Sequence, residues 1–286
     1  IARLTSIVFL IVGQAQPRYR TLLKNSQNVT NPINPKNATN AMNPLNSIKI
    51  LSTRIDDIIL SEIPPIIDTF LNDGKSHQII TANPLMLLEV KKNLKLKEVF
   101  ADASLVVPEG SGILWASKHL KTPLREKIPG IDLMIFLLNY AQKNGNKVFF
   151  LGTKEKIISK AVDKIKQKFP KLIIAGYNNG FFSNNEPDVI SIIKSSGADI
   201  LFVGLAIPYQ EIWIYKNIEQ TGVKIAMGVG GSFDVLSGNL KRAPSWMIKL
   251  NIEWLFRVIQ QPWRIKRIIK LAKFIIQIIK GTATFI

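Results

Sequence analysis

Four short polar segments carry the residue types and spacings from which chemistry can be built. Each follows a short apolar run. Thr81-Ala82-Asn83-Pro84 is the first. Pro108-Glu109-Gly110-Ser111-Gly112 is the second, and it exposes a carboxylate on a flexible turn. Pro208-Tyr209-Gln210-Glu211-Ile212-Trp213 is the third. The fourth is Gly228-Val229-Gly230-Gly231-Ser232-Phe233-Asp234, continuing through Ser237-Gly238 to Lys241-Arg242-Ala243-Pro244. A turn made of Gly228, Gly230 and Gly231 lets a backbone approach a diphosphate, although the full dinucleotide spacing is missing. Each segment also has an ordinary reading as a turn or a cap. Ser111 and Ser232 are expected to cap helices. Glu109 and Gln210 have no obvious turn role and carry more functional weight.

Several chemistries are excluded. No Gly-x-x-x-x-Gly-Lys-Ser/Thr loop is present, and there is no cysteine for a thiolate nucleophile, a disulfide or a thiolate metal site. A cysteine-free chain suits a reducing compartment. His77 and His119 are the only histidines, too few for a histidine metal cluster. Glu186-Pro187-Asp188 superficially resembles an acidic clamp, but it precedes a predicted helix, where acidic residues ordinarily favour the first turn. No metal and no cofactor is expected.

The elements that must position these segments follow from the hydrophobic pattern. Short, β-branched, doubly apolar runs predict strands over Ile48–Ser52, Gln78–Thr81, Leu105–Val107, Val148–Leu151, Leu172–Ala175, Ile200–Val203 and Lys224–Met227. Helical patterns lie between them, over 61–72, 83–93, 111–118, 130–144, 154–168, 187–195, 208–217 and 232–237. This alternation predicts an α/β fold: a Rossmann-like, doubly wound, mostly parallel sheet with helices on both faces. In such sheets ligands bind beyond the carboxyl ends of the strands. Those ends carry the loops Thr81–Asn83, Pro108–Gly112, Gly152–Thr153, Gly204–Gln210 and Gly228–Ser232.

The two ends of the chain read differently. Residues 1–46 are expected to be a low-complexity, disordered extension. Within it Asn recurs every third residue from Asn25 to Asn46, with Pro32, Pro35 and Pro44 interleaved. Its two glycosylation sequons read as chance matches, and Arg3 with the apolar run Ile7–Val12 is too short to argue for a signal segment. Residues 47–241 form the α/β domain, and 242–286 a basic helical appendage. The net charge of +18 implies an anionic partner, and half of it lies from Lys241 onward, where ten basic residues face Glu253 alone. Pro244 and Pro262 can each begin a helix. After Pro262, Ile265, Ile268, Ile269, Ala272, Ile275, Ile276 and Ile279 follow one apolar stripe, with Arg264, Arg267, Lys270 and Lys273 along the other side. With Trp246, Trp254 and Trp263 nearby, this pattern suits a helix lying in a membrane interface. A packed helix with a solvated basic face is the plainer alternative. No run reaches the ~20 apolar residues needed to cross a bilayer. Nucleic acid is a weaker candidate partner, because no basic strand is studded with aromatics and no recognition-helix pattern is present.

These segments, in this order and spacing, resemble the WecG/TagA/CpsF family of glycosyltransferases from about Ile50 to Arg267. The most specific matches are Phe202-Val203-Gly204-Leu205 with Pro208-x-Gln210-Glu211-x-Trp213, Gly228–Asp234, Arg242-Ala243-Pro244-x-Trp246 and Glu253-Trp254-Leu255-x-Arg257. The resemblance implies an inverting, metal-independent transfer of N-acetylmannosamine or a related sugar. The donor would be a UDP-sugar, and the acceptor a polyprenyl-diphosphate-linked N-acetylglucosamine. It implies that the Thr81/Asn83 loop helps form the pocket and that a carboxylate base occupies the turn of Glu109, Gly110 and Gly112. Glu109 stands where the family has Asp. It also implies an appendage that docks on the membrane, hence a peripheral protein on the cytoplasmic face of a bacterial plasma membrane, and arginines placed like Arg257, Arg264 and Arg267. Their spacing would put these on one helical face, but Pro262 interrupts the helix. They are expected to form a cationic lid over the diphosphate, with Gln210, Gly228, Gly230 and Gly231 completing the binding site. N-acetylmannosaminuronic acid and glucose remain alternative donor sugars, a non-catalytic basic membrane-surface protein an alternative function, and the oligomeric state stays open.

Overall fold

The computed structural model of the protein describes residues 45–283. The apolar run Ile7–Val12 and the Asn-rich segment up to residue 44 lie outside the described residues. The first described elements, β1 (Ser47–Ile50) and β2 (Thr53–Asp56), form an antiparallel hairpin that is a sheet of its own. The strand expected over Ile48–Ser52 therefore ends early and does not join the parallel sheet. Leu51 and Ser52 make the turn with φ of 49° and 64°. Two successive positive φ values suit the right-handed twist of a tight hairpin.

Six strands then form one parallel sheet in the order β4-β3-β8-β7-β5-β6. They are β3 (His77–Ala82), β4 (Leu105–Pro108), β5 (Lys147–Gly152), β6 (Ile173–Asn178), β7 (Ile200–Gly204) and β8 (Ile225–Gly228). All five neighbouring pairs are parallel. The connecting helices are α1 (Ile63–Asn72), α2 (Pro84–Val90), α3 (Leu94–Asp102), α4 (Ser111–His119), α5 (Gly130–Asn144), α6 (Glu155–Lys168), α7 (Glu186–Ser196), α8 (Tyr209–Thr221) and α9 (Ser232–Leu236). The helix expected over 83–93 ends early at Val90, and α3, which the sequence pattern did not predict, begins after Asn93, whose side chain accepts the Leu96 N–H at 3.1 Å.

Side chains alternate across each strand, so one strand feeds both layers. On one face Phe149, Leu151, Leu201 and Val203 pack with Trp213, Ile214 and Ile218 of α8 and with Val189 and Ile193 of α7. The neighbouring Phe150 and Phe202 stack at 5.8 Å, and Phe233 of α9 meets Phe150 edge-on at 6.0 Å. Each such fully buried side chain contributes roughly 1.5–3 kcal/mol. That double-sided burial explains why these strands read as continuous apolar runs.

The edge strand β4 is covered by the hairpin. Asp56 Oδ2 accepts the Val106 N–H at 2.8 Å, and Arg54 donates to the Ala103 carbonyl. Burial raises the Asp56 carboxyl above its ordinary range, against the lowering effects of that bond and of Arg54. At the amino ends of β3 and β4, His77 bonds Ser104 Oγ through Nδ1 at 2.9 Å and Asp73 through Nε2 at 2.9 Å. The His77 ring also stacks on Phe70 at 3.9 Å.

The chain forms two compact units. The larger holds Ser47–Arg242 with residues 267–283; the smaller is Ala243–Lys266. The smaller contains α10 (Ser245–Lys249), α11 (Glu253–Gln260) and a 3₁₀ turn, Pro262–Arg264. Trp246, Leu250, Ile259 and Trp263 are exposed on it. Helix α12 (Ile265–Ala283) runs from that turn into the larger unit. Its expected single apolar stripe is divided. Phe274, Ile275 and Ile278 are buried, whereas Ile269, Ile276 and Ile279 are exposed on the other side. Among the described residues no helix is long and apolar enough to cross a membrane.

Candidate active site

All six parallel strands end on one edge of the sheet, and four of those ends supply the polar segments. The turn after β4 is tied to β3, because Glu109 N–H donates to the Ala82 carbonyl at 2.8 Å. The loop before α5 is then laid beside it, with Ile128 N–H donating to the Pro108 carbonyl at 2.8 Å. Arg125 anchors this loop from outside. Its guanidinium reaches Asp57 at 3.0 Å and Glu62 at 2.6 Å. Fixed in this way, Gly130 N–H donates to Glu109 Oε1 at 3.0 Å. The Glu109 carboxylate thus occupies the amino end of α5, where the helix dipole favours negative charge.

Thr81 belongs to the same corner. A methyl group built on Gly130 would lie 3.1 Å from Thr81 Oγ1 and 3.3 Å from Glu109 Oε1. One small space therefore holds a hydroxyl, a carboxylate oxygen and a helix N–H. Asp132, in the first turn of α5, pairs with Arg242 at 2.7 Å, which brings the segment after α9 to the same helix start. Asn83 is used differently. Its Oδ1 accepts the N–H groups of Leu85 and Met86 at 3.1 and 3.2 Å and caps α2. Gly110 has φ of 88°, a conformation that favours glycine. Gly112 is required by packing, since a Cβ there would lie 2.7 Å from Pro84 Cγ.

A second corner forms where β7 and β8 end. Gln210, expected to help complete the binding site, is buried. Its Oε1 accepts the N–H groups of Leu205 at 3.3 Å and Gly230 at 3.0 Å, and its Nε2 donates to Glu211 Oε1 at 2.6 Å. Gly228 leaves this pair its room: a Cβ there would lie 2.6 Å from Gln210 Nε2 and 3.1 Å from Glu211 Oε1. Glu211 is 2 % exposed, and its Oε2 is buried with no hydrogen-bond partner among the described residues. Burial pushes its carboxyl up to about 7. The charge of Glu109 adds to the rise, while the Gln210 bond opposes it. Gly231 immediately precedes α9.

The structure corrects two expectations here. Ser111 and Ser232 are the first helical residues of α4 and α9, and neither helix start has a side-chain cap. Glu186 does lie in the first turn of α7, as expected, and its Oε1 accepts from Asn217 at 3.0 Å. Of the three arginines, Arg257 and Arg264 belong to the smaller unit and Arg267 to the larger. Arg257 pairs with Glu253 at 3.1 Å along α11, and Arg264 Nε donates to Gln261. Sequence reasoning missed Gly130, Asp132 and Glu211 as parts of the site. The proline before Gly130 and the glutamate inside the Pro-x-Gln-Glu motif were the available signals. Among the described residues no group of three or more His, Cys, Asp or Glu side chains is placed to hold a metal ion.

Comparison with known proteins bears directly on this edge of the sheet. Residues 48–284 match the model of the glycosyl transferase WecG/TagA/CpsF family. Three curated relatives are each described as N-acetylglucosaminyldiphosphoundecaprenol N-acetyl-beta-D-mannosaminyltransferase. The protein of Bacillus spizizenii is 34% identical over 226 residues, covering 79% of this chain and 88% of its own. That of Bacillus subtilis is 36% identical over 202 residues, covering 71% and 78%. That of Staphylococcus aureus is 34% identical over 236 residues, covering 82% and 92%. A match that takes in both corners, the sheet between them and the helices beyond places this chain in the WecG/TagA/CpsF family of glycosyltransferases.

Proposed function

We propose that this protein transfers N-acetylmannosamine, or a closely related sugar, from a UDP-sugar to a polyprenyl-diphosphate-linked N-acetylglucosamine. The observation that carries the reading is the meeting of Glu109 Oε1 with Gly130 N–H and the Thr81 hydroxyl at the carboxyl edge of the sheet, in a chain of this family. Glu109 acts as the base. As the acceptor hydroxyl oxygen attacks the anomeric carbon, its proton passes to the Glu109 carboxylate. The bond from that carbon to the UDP oxygen breaks, UDP leaves with the electron pair, and the anomeric configuration inverts. A positioned base of this kind contributes ~10²–10⁴-fold in rate. Thr81 orients the acceptor, and Asn83 shapes the wall of the pocket by holding α2.

The leaving diphosphate needs donors and cations where its charge develops. The backbone of Gly228, Gly230 and Gly231, spaced by Gln210, offers the close approach. Arg257, Arg264 and Arg267 offer positive charge, and their part in the proposal rests on the charge of the leaving group. The reaction needs no added divalent cation, so chelator in the assay leaves the rate unchanged. The protein works at the cytoplasmic face of a membrane as a peripheral protein. Exposed Trp246, Trp263 and Ile259 on the smaller unit, and exposed Ile269, Ile276 and Ile279 on α12, support this reading. Lys266, Lys270 and Lys273 supply the charge that anionic headgroups attract, at ~1 kcal/mol per basic residue near the surface.

The test is a donor screen. The full chain is incubated with vesicles carrying a short-chain polyprenyl-diphosphate N-acetylglucosamine and, in turn, UDP-N-acetylmannosamine, its uronic acid and UDP-glucose. Lipid products are read by mass. The expected result is a gain of one N-acetylhexosamine with release of UDP. No product with any donor overturns the proposal.

A further inference from the structure

Helix α8 begins with two buried polar side chains in succession, and only the first has an assigned task. The Gln210 amide has two ends of nearly equal size and opposite hydrogen-bonding character. Both backbone groups that meet it, Leu205 N–H and Gly230 N–H, are donors, so they need its oxygen. A flipped amide would set its NH₂ against two N–H groups. The side chain that selects the correct end is Glu211, whose Oε1 accepts from Gln210 Nε2 at 2.6 Å. The choice is enforced from outside as well. Gly228 lies so close that a Cβ would strike the same Nε2. Gln78 Nε2 holds the Glu211 backbone carbonyl at 3.0 Å, fixing the start of the helix. No solvent reaches the pair to substitute for either bond, because Gln210 and Glu211 are 3 % and 2 % exposed.

A glutamate in the first turn of a helix ordinarily faces water and answers the helix dipole. Here it is turned inward, with its second oxygen without a hydrogen-bond partner among the described residues, and burial of that kind is costly. A merely structural contact between α8 and β8 would be better served by an apolar side chain. We propose that Glu211 is a positioning residue for the transfer reaction. It holds the Gln210 amide in the one orientation that anchors Gly230 N–H, and so sets the glycine turn Gly228–Gly231 at the distance a donor diphosphate requires. This rests on the function proposed above for the same site.

The experiment compares Glu211→Gln, which keeps an acceptor for Gln210, with Glu211→Met, which keeps the bulk and removes the acceptor. Three readouts are taken on the full chain: UDP affinity by calorimetry, kcat with separate KM values for donor and acceptor, and amide hydrogen exchange of Leu205 and Gly230. For Glu211→Met the expected result is about tenfold weaker UDP binding and about tenfold higher donor KM, the scale of one lost buried hydrogen bond. Acceptor KM and kcat stay within about twofold, and exchange accelerates at Leu205 and Gly230. Glu211→Gln stays near the parent protein in all three. Unchanged exchange and unchanged UDP affinity in Glu211→Met overturn the proposal, as does a Glu211→Gln protein as impaired as Glu211→Met. If Glu211→Met does not fold, Glu211→Leu, which also lacks an acceptor, takes its place and must give the same donor-selective defect with faster exchange at Leu205 and Gly230. A parent protein that neither binds UDP nor transfers sugar sinks the proposed function. The exchange readout still decides whether Glu211 anchors Gly230.

Discussion

The two ends of β3 and β4 place polar side chains in opposite situations. At the amino ends, His77 has a partner for each ring nitrogen and a phenylalanine ring beneath it. A serine, a histidine and an aspartate in hydrogen-bonded series make a closed knot, which ties α1 to the starts of two strands. At the carboxyl ends, Thr81 and Glu109 share a space kept open by a glycine. Similar chemistry has both ring nitrogens of its histidine partnered at one edge, and at the other it borders a space that only a glycine leaves. Hydrogen-bonded side chains in a row are therefore not enough to identify a reactive site. The parallel sheet decides, because its loops and helix amino termini gather at the carboxyl edge.

That contrast can be broken from either end. Glu109→Gln should have the largest effect, lowering kcat by ~10²–10⁴-fold with folding intact, since it keeps shape and removes only the base. Gly130→Ala comes next. Its methyl group would press on Thr81 Oγ1 and Glu109 Oε1 at 3.1 and 3.3 Å, and a displacement well under 1 Å should still cost on the order of tenfold to a hundredfold in kcat/KM. Glu211→Gln should act on stability through pH. The folded protein holds this carboxyl near pH 7, against an ordinary 4.5, so folding favours its protonated form. Stability from this group is therefore full below about pH 4.5 and is lost as pH rises through about 7, by up to about 3 kcal/mol. The variant should flatten that decline, which urea titrations at pH 5 and pH 8 would reveal. His77→Leu should have the smallest functional effect. It removes a closed knot and lowers stability by ~1–3 kcal/mol, while kcat/KM stays at the parent value. A loss of activity exceeding the loss of folded protein would mean that the two edges are not separate.

The parallel strands were legible in the sequence because both faces of the sheet are buried, which leaves unbroken apolar runs such as Leu201–Val203. The hairpin strand β2 was not, because Thr53–Asp56 carries an Arg and an Asp whose purpose is to bond an edge strand. Its turn also lacks the glycine or asparagine that usually announces one. Helix α3 was missed, although Leu96, Val99 and Phe100 keep a helical spacing after the start at Asn93. The division of the α12 stripe was invisible for a different reason. Periodicity reports which residues share a side, not which of them find something to pack on. At the site, Glu109 and Gln210 stood out because no turn needed them. Gly130 and Glu211 did not, since closeness across 21 residues and an inward-facing first-turn carboxylate are tertiary facts. The expected caps at Ser111 and Ser232 failed because glycines take the cap positions there.

The hairpin has one more consequence. A parallel sheet offers an unpaired backbone on each flank, and either flank is a template for another chain. By spending Asp56 on Val106 and Arg54 on Ala103, the hairpin closes one flank with side chains instead of a seventh strand. Strand recruitment from a crowded solution is then confined to β6. There a register shift against β5 bends the ladder and spoils the flat template that such recruitment needs.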